Sequence, residues 1–403
     1  MSKLSVEDFH EVQPSQLSLF ELPGHQTAIQ SIQYEQVRPS EHFTHNSPIQ
    51  FNIPSGGMQY LDLKRSTMSL KVRLVNADGS YIGEDPVGPV NLTLHALFSQ
   101  VDVTIQNKIV TSTTGNYPYK AMIQTLLKYG TDAKKSPLSA QMWISDTPEH
   151  LDDVNVNTGG NAGLWARTQF FKNSKIVDLQ GSIHHPLFSM DRYLLNSVNL
   201  TVKFYRSKPQ FYLISSDEEN ADYRIQIEDM YLNICKLNLN PGILYGHAEI
   251  LKSKTAKYIL TNTDLKTMAI PQGQMAFTWD NVFQGILPTV VIIGFVASEA
   301  MTGSYKLSPW NFKHYNLNQI ALMITNQPIN GNPLKVSYDQ ISGITSIPAF
   351  CNLFEVTGKW SQQEGNGLNR ASMNGGFNLY AFSIDPQFEG LDYLNLIKKA
   401  TPV

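Results

Sequence analysis

The strongest constraint on this chain is a repeated two-residue alternation. Met68, Leu70, Val72 and Leu74 are apolar, Ser69, Lys71 and Arg73 between them are polar, and the run stops at Asn76-Ala77-Asp78-Gly79. Successive side chains of an extended chain point to opposite faces, so such a run places one face in a core and the other in water. The pattern returns at Ile49, Phe51 and Ile53, which end on Pro54-Ser55-Gly56-Gly57, and at Val101, Val103 and Ile105 before Gln106-Asn107-Lys108. It returns again at Val198, Leu200, Val202 and Phe204, at Ile225 and Ile227, and at Leu232 and Ile234. Strands this frequent, broken by Gly, Pro and Asn, predict sandwiches or barrels and exclude alternating βαβ units.

One segment follows a different period. Tyr119, Met122, Ile123, Leu126 and Leu127 recur at three and four residues with Gly130 behind them, which predicts a helix over residues 117–129. A shorter helix is expected within residues 90–99. Asn238-Leu239-Asn240-Pro241-Gly242 reads as a boundary, after which strand-like pieces begin again. These are residues 257–260, 275–278, the β-branched run 290–296, the alternation at Ile320, Leu322 and Ile324, then Phe350, Leu353, Phe354 and Val356, and finally 379–384. The run 290–296 has the character of a strand covered on both faces. At roughly 150 residues per domain, 403 residues suit two domains. The expected division is an arm over 1–48, a first sandwich over 49–241 and a second over 242–403. In the arm, Leu17, Leu19, Phe20, Leu22 and Pro23 form an apolar anchor that either docks on its own domain or reaches a neighbouring subunit. The arm has almost no Lys or Arg, which argues against a genome-binding tail.

Charged residues are only 16% of the chain, against roughly 25% in an ordinary soluble protein. The net charge is −3, which gives no electrostatic reason to expect nucleic acid or an anionic membrane. The surface must therefore be rich in amides and hydroxyls, as suits a protein that packs against copies of itself. Two cysteines, Cys235 and Cys351, cannot build a disulfide framework. The N-terminus lacks the basic and apolar regions of a signal peptide, and the apolar stretch 286–296 is too short to span a membrane and contains Pro288. Synthesis in a reducing, aqueous compartment is the expectation. The sequons at Asn91 and Asn199 are then chance matches.

No pattern of residues requires catalysis, a metal or a cofactor. The segment from Gly130 to Ser136 lacks the glycine before its lysine that a phosphate-binding loop needs. Gly365-Asn366-Gly367 and Gly375-Gly376 read as flexible surface loop. Adjacent His184 and His185 lack acidic or cysteine partners at ligand spacing, so solvent-facing or interface histidines are expected. The segment His150-Leu151-Asp152-Asp153 reads as a polar loop rim and lacks calcium-loop spacing.

Several longer strings resemble the major capsid proteins of Polinton (Maverick) virus-like elements. They are residues 87–103 (VGPVNLTLHALFSQVDV), 116–121 (NYPYKA), 132–136 (DAKKS), 191–196 (DRYLLN), 255–258 (TAKY), 309–318 (PWNFKHYNLN) and the arm string 17–23 (LSLFELP). The resemblance covers residues from about 15 to 397 in family order. It implies an all-β double jelly roll: two tandem sandwiches with short helices in the connections, the inserts 147–163 and 215–221 forming loops at the tower ends. It also implies a non-enzymatic capsid subunit located in the virion. Three chains would form a pseudo-hexameric capsomer that tiles an icosahedral shell with neighbouring capsomers and a minor (penton) protein. No specific nucleic-acid binding is implied. Family members continue past the segment matching residues 393–399, so the second sandwich is expected to be incomplete at its C-terminus. Truncation or an edge strand supplied by a partner would account for that. A minor-capsid or spike-type sandwich that binds carbohydrate or a host surface is the alternative reading.

Overall fold

The structure, a computed structural model, describes residues 13–398 except 21, 43, 45, 46, 55, 111–114, 218–221, 284, 325, 326, 330, 331, 386–393 and 395. Among the described residues, ten strands form the first half: β1 (Ile29–Val37), β2 (Ile49–Ile53), β3 (Gln59–Asn76), β4 (Val87–Pro89), β5 (Phe98–Ile105), β6 (Lys108–Ile109), β7 (Val177–Ser182), β8 (Leu200–Arg206), β9 (Leu213–Ser215) and β10 (Tyr223–Leu239). Helices α1 (Thr93–Ala96), α2 (Tyr117–Lys128), α3 (Thr131–Lys135), α4 (Ala162–Phe171) and α5 (Pro209–Tyr212) lie in its connections.

Two antiparallel four-stranded sheets run in the orders β1-β10-β3-β7 and β2-β8-β5-β6, while β4 and β9 pair only with each other. Set that short pair aside and count the other eight strands along the chain. The sheets then read first-eighth-third-sixth and second-seventh-fourth-fifth. This interleaving, in which each sheet takes alternate arms of a folded hairpin, is jelly-roll topology. The alternating residues explain it locally. In β2, Ile49, Phe51 and Ile53 are buried while Gln50 and Asn52 are exposed, and they register against Phe204, Val202 and Leu200 of β8. Met68, Leu70, Val72 and Leu74 of β3 face the same core from the other sheet. Burying each such side chain contributes about 1.5–3 kcal/mol.

Two strands differ from their reading in sequence. Residues 29–37, assigned to the arm by composition, form edge strand β1 on β10. Nearly every residue of β1 is exposed on both faces, so no alternation marks it. The separate runs at 225–227 and 232–234 belong to one strand, β10, whose register against β3 shifts near residues 228 and 234. Such bulges reset which alternate residue faces the core, so the apolar period breaks without the strand ending.

The second half begins with α6 (Pro241–Leu251) and then runs without a helix or named strand, among described residues, to β11 (Val290–Gly294). Neither 257–260 nor 275–278 is a strand, although Tyr258 and Leu260 are half-buried against the main core. Then come α7 (Ser298–Thr302), β12 (Gln319–Ile320), β13 (Met323–Ile324), β14 (Gln327–Pro328), β15 (Leu334–Lys335), α8 (Ile347–Val356), α9 (Arg370–Asn374) and β16 (Leu379–Ser383). Antiparallel pairs join β11 to β16, β12 to β15 and β13 to β14. Residues 347–356, expected among the strand-like pieces, are helical. Phe350, Leu353 and Phe354 are in fact spaced at three and four residues. β11 meets two clusters, Ile292 on the main core and Val291 and Ile293 on a second one, but Val290–Ile293 stay half-buried. The expected C-terminal incompleteness of the second sandwich lies outside the described residues, as does most of the insert 215–221, residues 218–221.

Candidate functional site

The two halves share one hydrophobic core. Trp310, Phe312, Leu353, Phe377, Leu379 and Ala381 of the second half belong to the same buried cluster as the first sandwich. Trp310 is the largest of them and has no exposed surface. Its indole Nε1–H donates to the Asn91 carbonyl at 2.8 Å. Its ring meets Tyr119 of α2 and Phe211 of α5 edge-on, with centroids at 5.4 and 5.7 Å. Edge-to-face contacts align the positive ring edge with the negative face and add to simple burial. Asn91 is positioned by its own turn: its Oδ1 accepts from the backbone N–H of Leu92 and of Ile144, and Leu92 is left-handed at φ 55°. The Asn91 side chain is wholly buried, so the sequon there is closed to a glycan in the folded protein.

Polar contacts extend the joint on either side of Trp310. Asp152 accepts from the Ser308 N–H at 3.0 Å and from Asn311 Nδ2 at 2.7 Å, and pairs with Lys313 at 2.7 Å. The loop read as a polar rim therefore grips the second half, because its one carboxylate finds three donors there. Lys134 of α3 is buried, donates to the carbonyls of Leu126 at 2.7 Å and Asn366 at 2.5 Å, and lies over the Trp143 ring. Burial pushes its ammonium down to about 8. Arg192 donates to the Lys257 carbonyl, and Tyr258 Oη accepts from the Leu195 N–H at 3.1 Å. The strings around residues 91 and 119 thus both meet that around 310, the string around 192 meets that around 258, and Lys134 meets Asn366.

Two expectations are corrected here. Gly365-Asn366-Gly367 and Gly375-Gly376 are packed contact points and not free loop. A Cβ on Gly367 would lie 2.9 Å from Thr131 Oγ1, and one on Gly376 would lie 2.7 Å from Leu151 and 2.8 Å from Asn311 Oδ1. Glycine is what lets the backbones approach. His184 and His185 do not face solvent: His185 is buried and His184 half-buried, held by side-chain hydrogen bonds described below. They also lie beyond β7, so strand geometry does not send them to opposite faces. The insert 147–163 touches the joint through Asp152, and its last two residues begin α4.

The arm residues Leu17, Leu19, Phe20, Leu22 and Pro23 are all exposed, Phe20 almost completely, at 97%. None lies in a buried cluster of the described residues. Among those residues, no three His, Cys, Asp or Glu side chains gather as metal ligands would, and no helix is long and apolar enough to cross a membrane. The joint holds one half against the other. The signal that could have found it was the apolar-polar string around Trp310, but no periodicity says where an isolated tryptophan inserts.

Ala at position 376 tests the close approach. With φ at +117° and two atoms inside 3 Å of the added carbon, Gly376→Ala should cost about 2–3 kcal/mol. Gly56→Ala, with nothing within 4 Å, should stay within about 0.5 kcal/mol. Urea midpoints of the two variants measure the difference.

No family model matches the sequence. An uncharacterized protein of Caenorhabditis elegans is 22% identical over 389 residues, covering 94% of this chain and 90% of that protein. The Sputnik virophage structure aligns over 60% of this chain and 55% of its own, at 13% identity and a TM-score of 0.42. The PBCV-1 virus capsid aligns over 90% of this chain and 80% of its own, at 9% identity and a TM-score of 0.50. With that likeness spanning both halves, and the strand order of the first sandwich, the chain has the double-jelly-roll fold.

Proposed function

We propose that this chain is a major-capsid-type subunit of a virus-like shell, of Polinton (Maverick) type, that acts by shape. The observation that carries the reading is the joint: a tryptophan of one half buried in the other makes two sandwiches into one rigid brick. A shell subunit needs that rigidity, because closed symmetry only closes if the angle between its contact patches is fixed. In this reading the chain divides near residues 238–242, three copies form a pseudo-hexameric capsomer, and capsomers meet each other and a minor penton protein in the virion. With a net charge of −3, nucleic acid is enclosed and not specifically bound. Size-exclusion chromatography followed by negative-stain microscopy tests the proposal. Hexagon-outlined trimers or shells support it, and a monomer retained on a sugar column would point instead to a spike-type binding module.

The arm is proposed to reach a neighbouring subunit. Replacing Leu17, Leu19, Phe20 and Leu22 together with serine is expected to leave thermal unfolding within about 2 °C of the parent, since these side chains are exposed, while lowering the oligomeric fraction. A large fall in melting temperature would instead mean that the arm docks on its own domain.

A further inference from the structure

Two histidines, His95 and His184, lie together where α1, α2, the turn Pro137–Gln141 and the segment after β7 converge, and a third, His185, follows on that segment. His95 is wholly buried, with Nε2 facing Gln141 Oε1 at 3.0 Å and Nδ1 facing Tyr117 Oη at 2.9 Å. The amide oxygen only accepts, so Nε2 carries the hydrogen and Nδ1 receives the Tyr117 hydroxyl's hydrogen. The same Tyr117 oxygen accepts from the His184 backbone N–H at 3.3 Å. The His184 ring stands edge-on to His95 at 4.6 Å, and its Nδ1 faces Gln124 Oε1 at 2.9 Å. The next residue, His185, accepts the Leu187 N–H on Nδ1 and so caps the turn Pro186–Ser189. His95 and His185 thus each use a ring nitrogen as an acceptor, and His184 shares the cavity edge-on with His95. A proton added at either acceptor nitrogen meets another donor hydrogen.

Charged groups around the rings act on such an added charge in both senses. From α2, Lys120 and Lys128 act on His184 in the same unfavourable sense as His95 does, and Lys120 also acts on His185. Asp102 of β5 opposes this at His185, and Asp264, on the loop beyond α6, acts on Lys120. Tyr117 is neutral, since burial raises it far above its usual range. The cluster is also wired to the second half: Gln124, which holds His184, donates through Nε2 to Thr263 Oγ1 at 3.3 Å.

We propose that His95, His184 and His185 form an acid-sensitive latch, whose protonation releases α1 and α2 and, through Gln124, loosens the second half from the first sandwich. In a shell, an acidic compartment would then soften each subunit at its joint. The sign follows from the neutral forms. Burial lowers His95 to about 4 and His185 to about 3, and lowers His184 well below 6.5, the value all three recover on unfolding. The stability tied to the neutral rings is fully present above about pH 6.5 and is lost as pH falls from there towards 4.

Thermal unfolding and hydrogen exchange of the full chain at pH 7.5, 6.5, 5.5 and 5.0 test this. The parent melting temperature should fall by roughly 10 °C across the series, with exchange protection at residues 255–268 lost before that of β3 and β10. The variant combining His184→Gln and His185→Asn, whose amide oxygens can accept but not titrate, should lose at least half of that pH slope. Should it fold poorly, His185→Asn alone keeps the capping acceptor and should still flatten the slope. A parent unchanged down to pH 5.0, equal slopes in parent and variants, or simultaneous loss of protection in both halves would overturn the latch. None of these outcomes bears on whether the chain builds shells at pH 7.5, so the two proposals fail separately.

Discussion

Trp310→Ala is expected to cost about 3–5 kcal/mol and to turn one unfolding transition into two. The ring is fully buried, so its removal leaves a large cavity lined by Tyr119 and Phe211, which lose their edge contacts with it. The Asn91 carbonyl also loses its indole donor inside the core, where an unmade hydrogen bond costs more than it does in water. Trp310→Phe keeps most of the apolar surface but not the donor, and should cost about 1–3 kcal/mol with a single transition retained. Differential scanning calorimetry separates the cases. A single, undiminished transition in Trp310→Ala would mean that the two halves are not held together here. The same variant should lose ordered oligomers even where each half stays folded, because the angle between the halves is then free.

Arg167→Ala is the second large effect, at about 3–5 kcal/mol. Arg167 of α4 and Asp146 are both almost completely buried and paired at 2.5 Å. The guanidinium also donates to the Pro89 carbonyl at 2.9 Å and to the Ile144 carbonyl, next to the turn that carries Asn91. Asp146 in turn accepts from Asn161 Nδ2 at 2.9 Å, and Asn161 caps α4 by accepting from the Leu164 N–H. Removing the arginine alone leaves a carboxylate in the core without its cation, and the desolvation cost of that charge dominates. Replacing both partners, Arg167→Met with Asp146→Leu, removes the uncompensated charge and should recover more than half of the loss. Chemical-denaturation midpoints of the two single variants and the double variant give the coupling. If the double variant were as unstable as the sum of the singles, the pair would not be acting as a unit.

Sheet residues were legible because burial on one face writes a two-residue period into the chain. Met68 to Leu74, Ile49 to Ile53 and Leu200 to Phe204 all proved to be core positions of strands, and the helix at 117–128 followed from its own period. The period fails where burial does not alternate. Strand β1 is exposed on both sides, and β10 changes phase at its bulges, so neither could be traced whole. Residues 257–260 have apolar side chains that touch the core without strand pairing, since an extended segment pinned by Tyr258 needs no ladder.

The joint obeys no period, and its parts were read one at a time. Glycines at 365–367 and 375–376 have the composition of loose loop, yet they are small because another backbone or side chain presses on them. Paired histidines read as surface groups, yet Gln124 meets the His184 Nδ1 and the Leu187 N–H donates to the His185 Nδ1, and a neutral ring so partnered can be buried. By itself the amino-acid order determined which short segments hide one face, and hence a chain of sandwiches with a charge-poor surface. Only the tertiary structure decided which distant residues share a cavity, because solvation acts on each side chain locally, whereas contact between positions 91 and 310 depends on the path of everything between them.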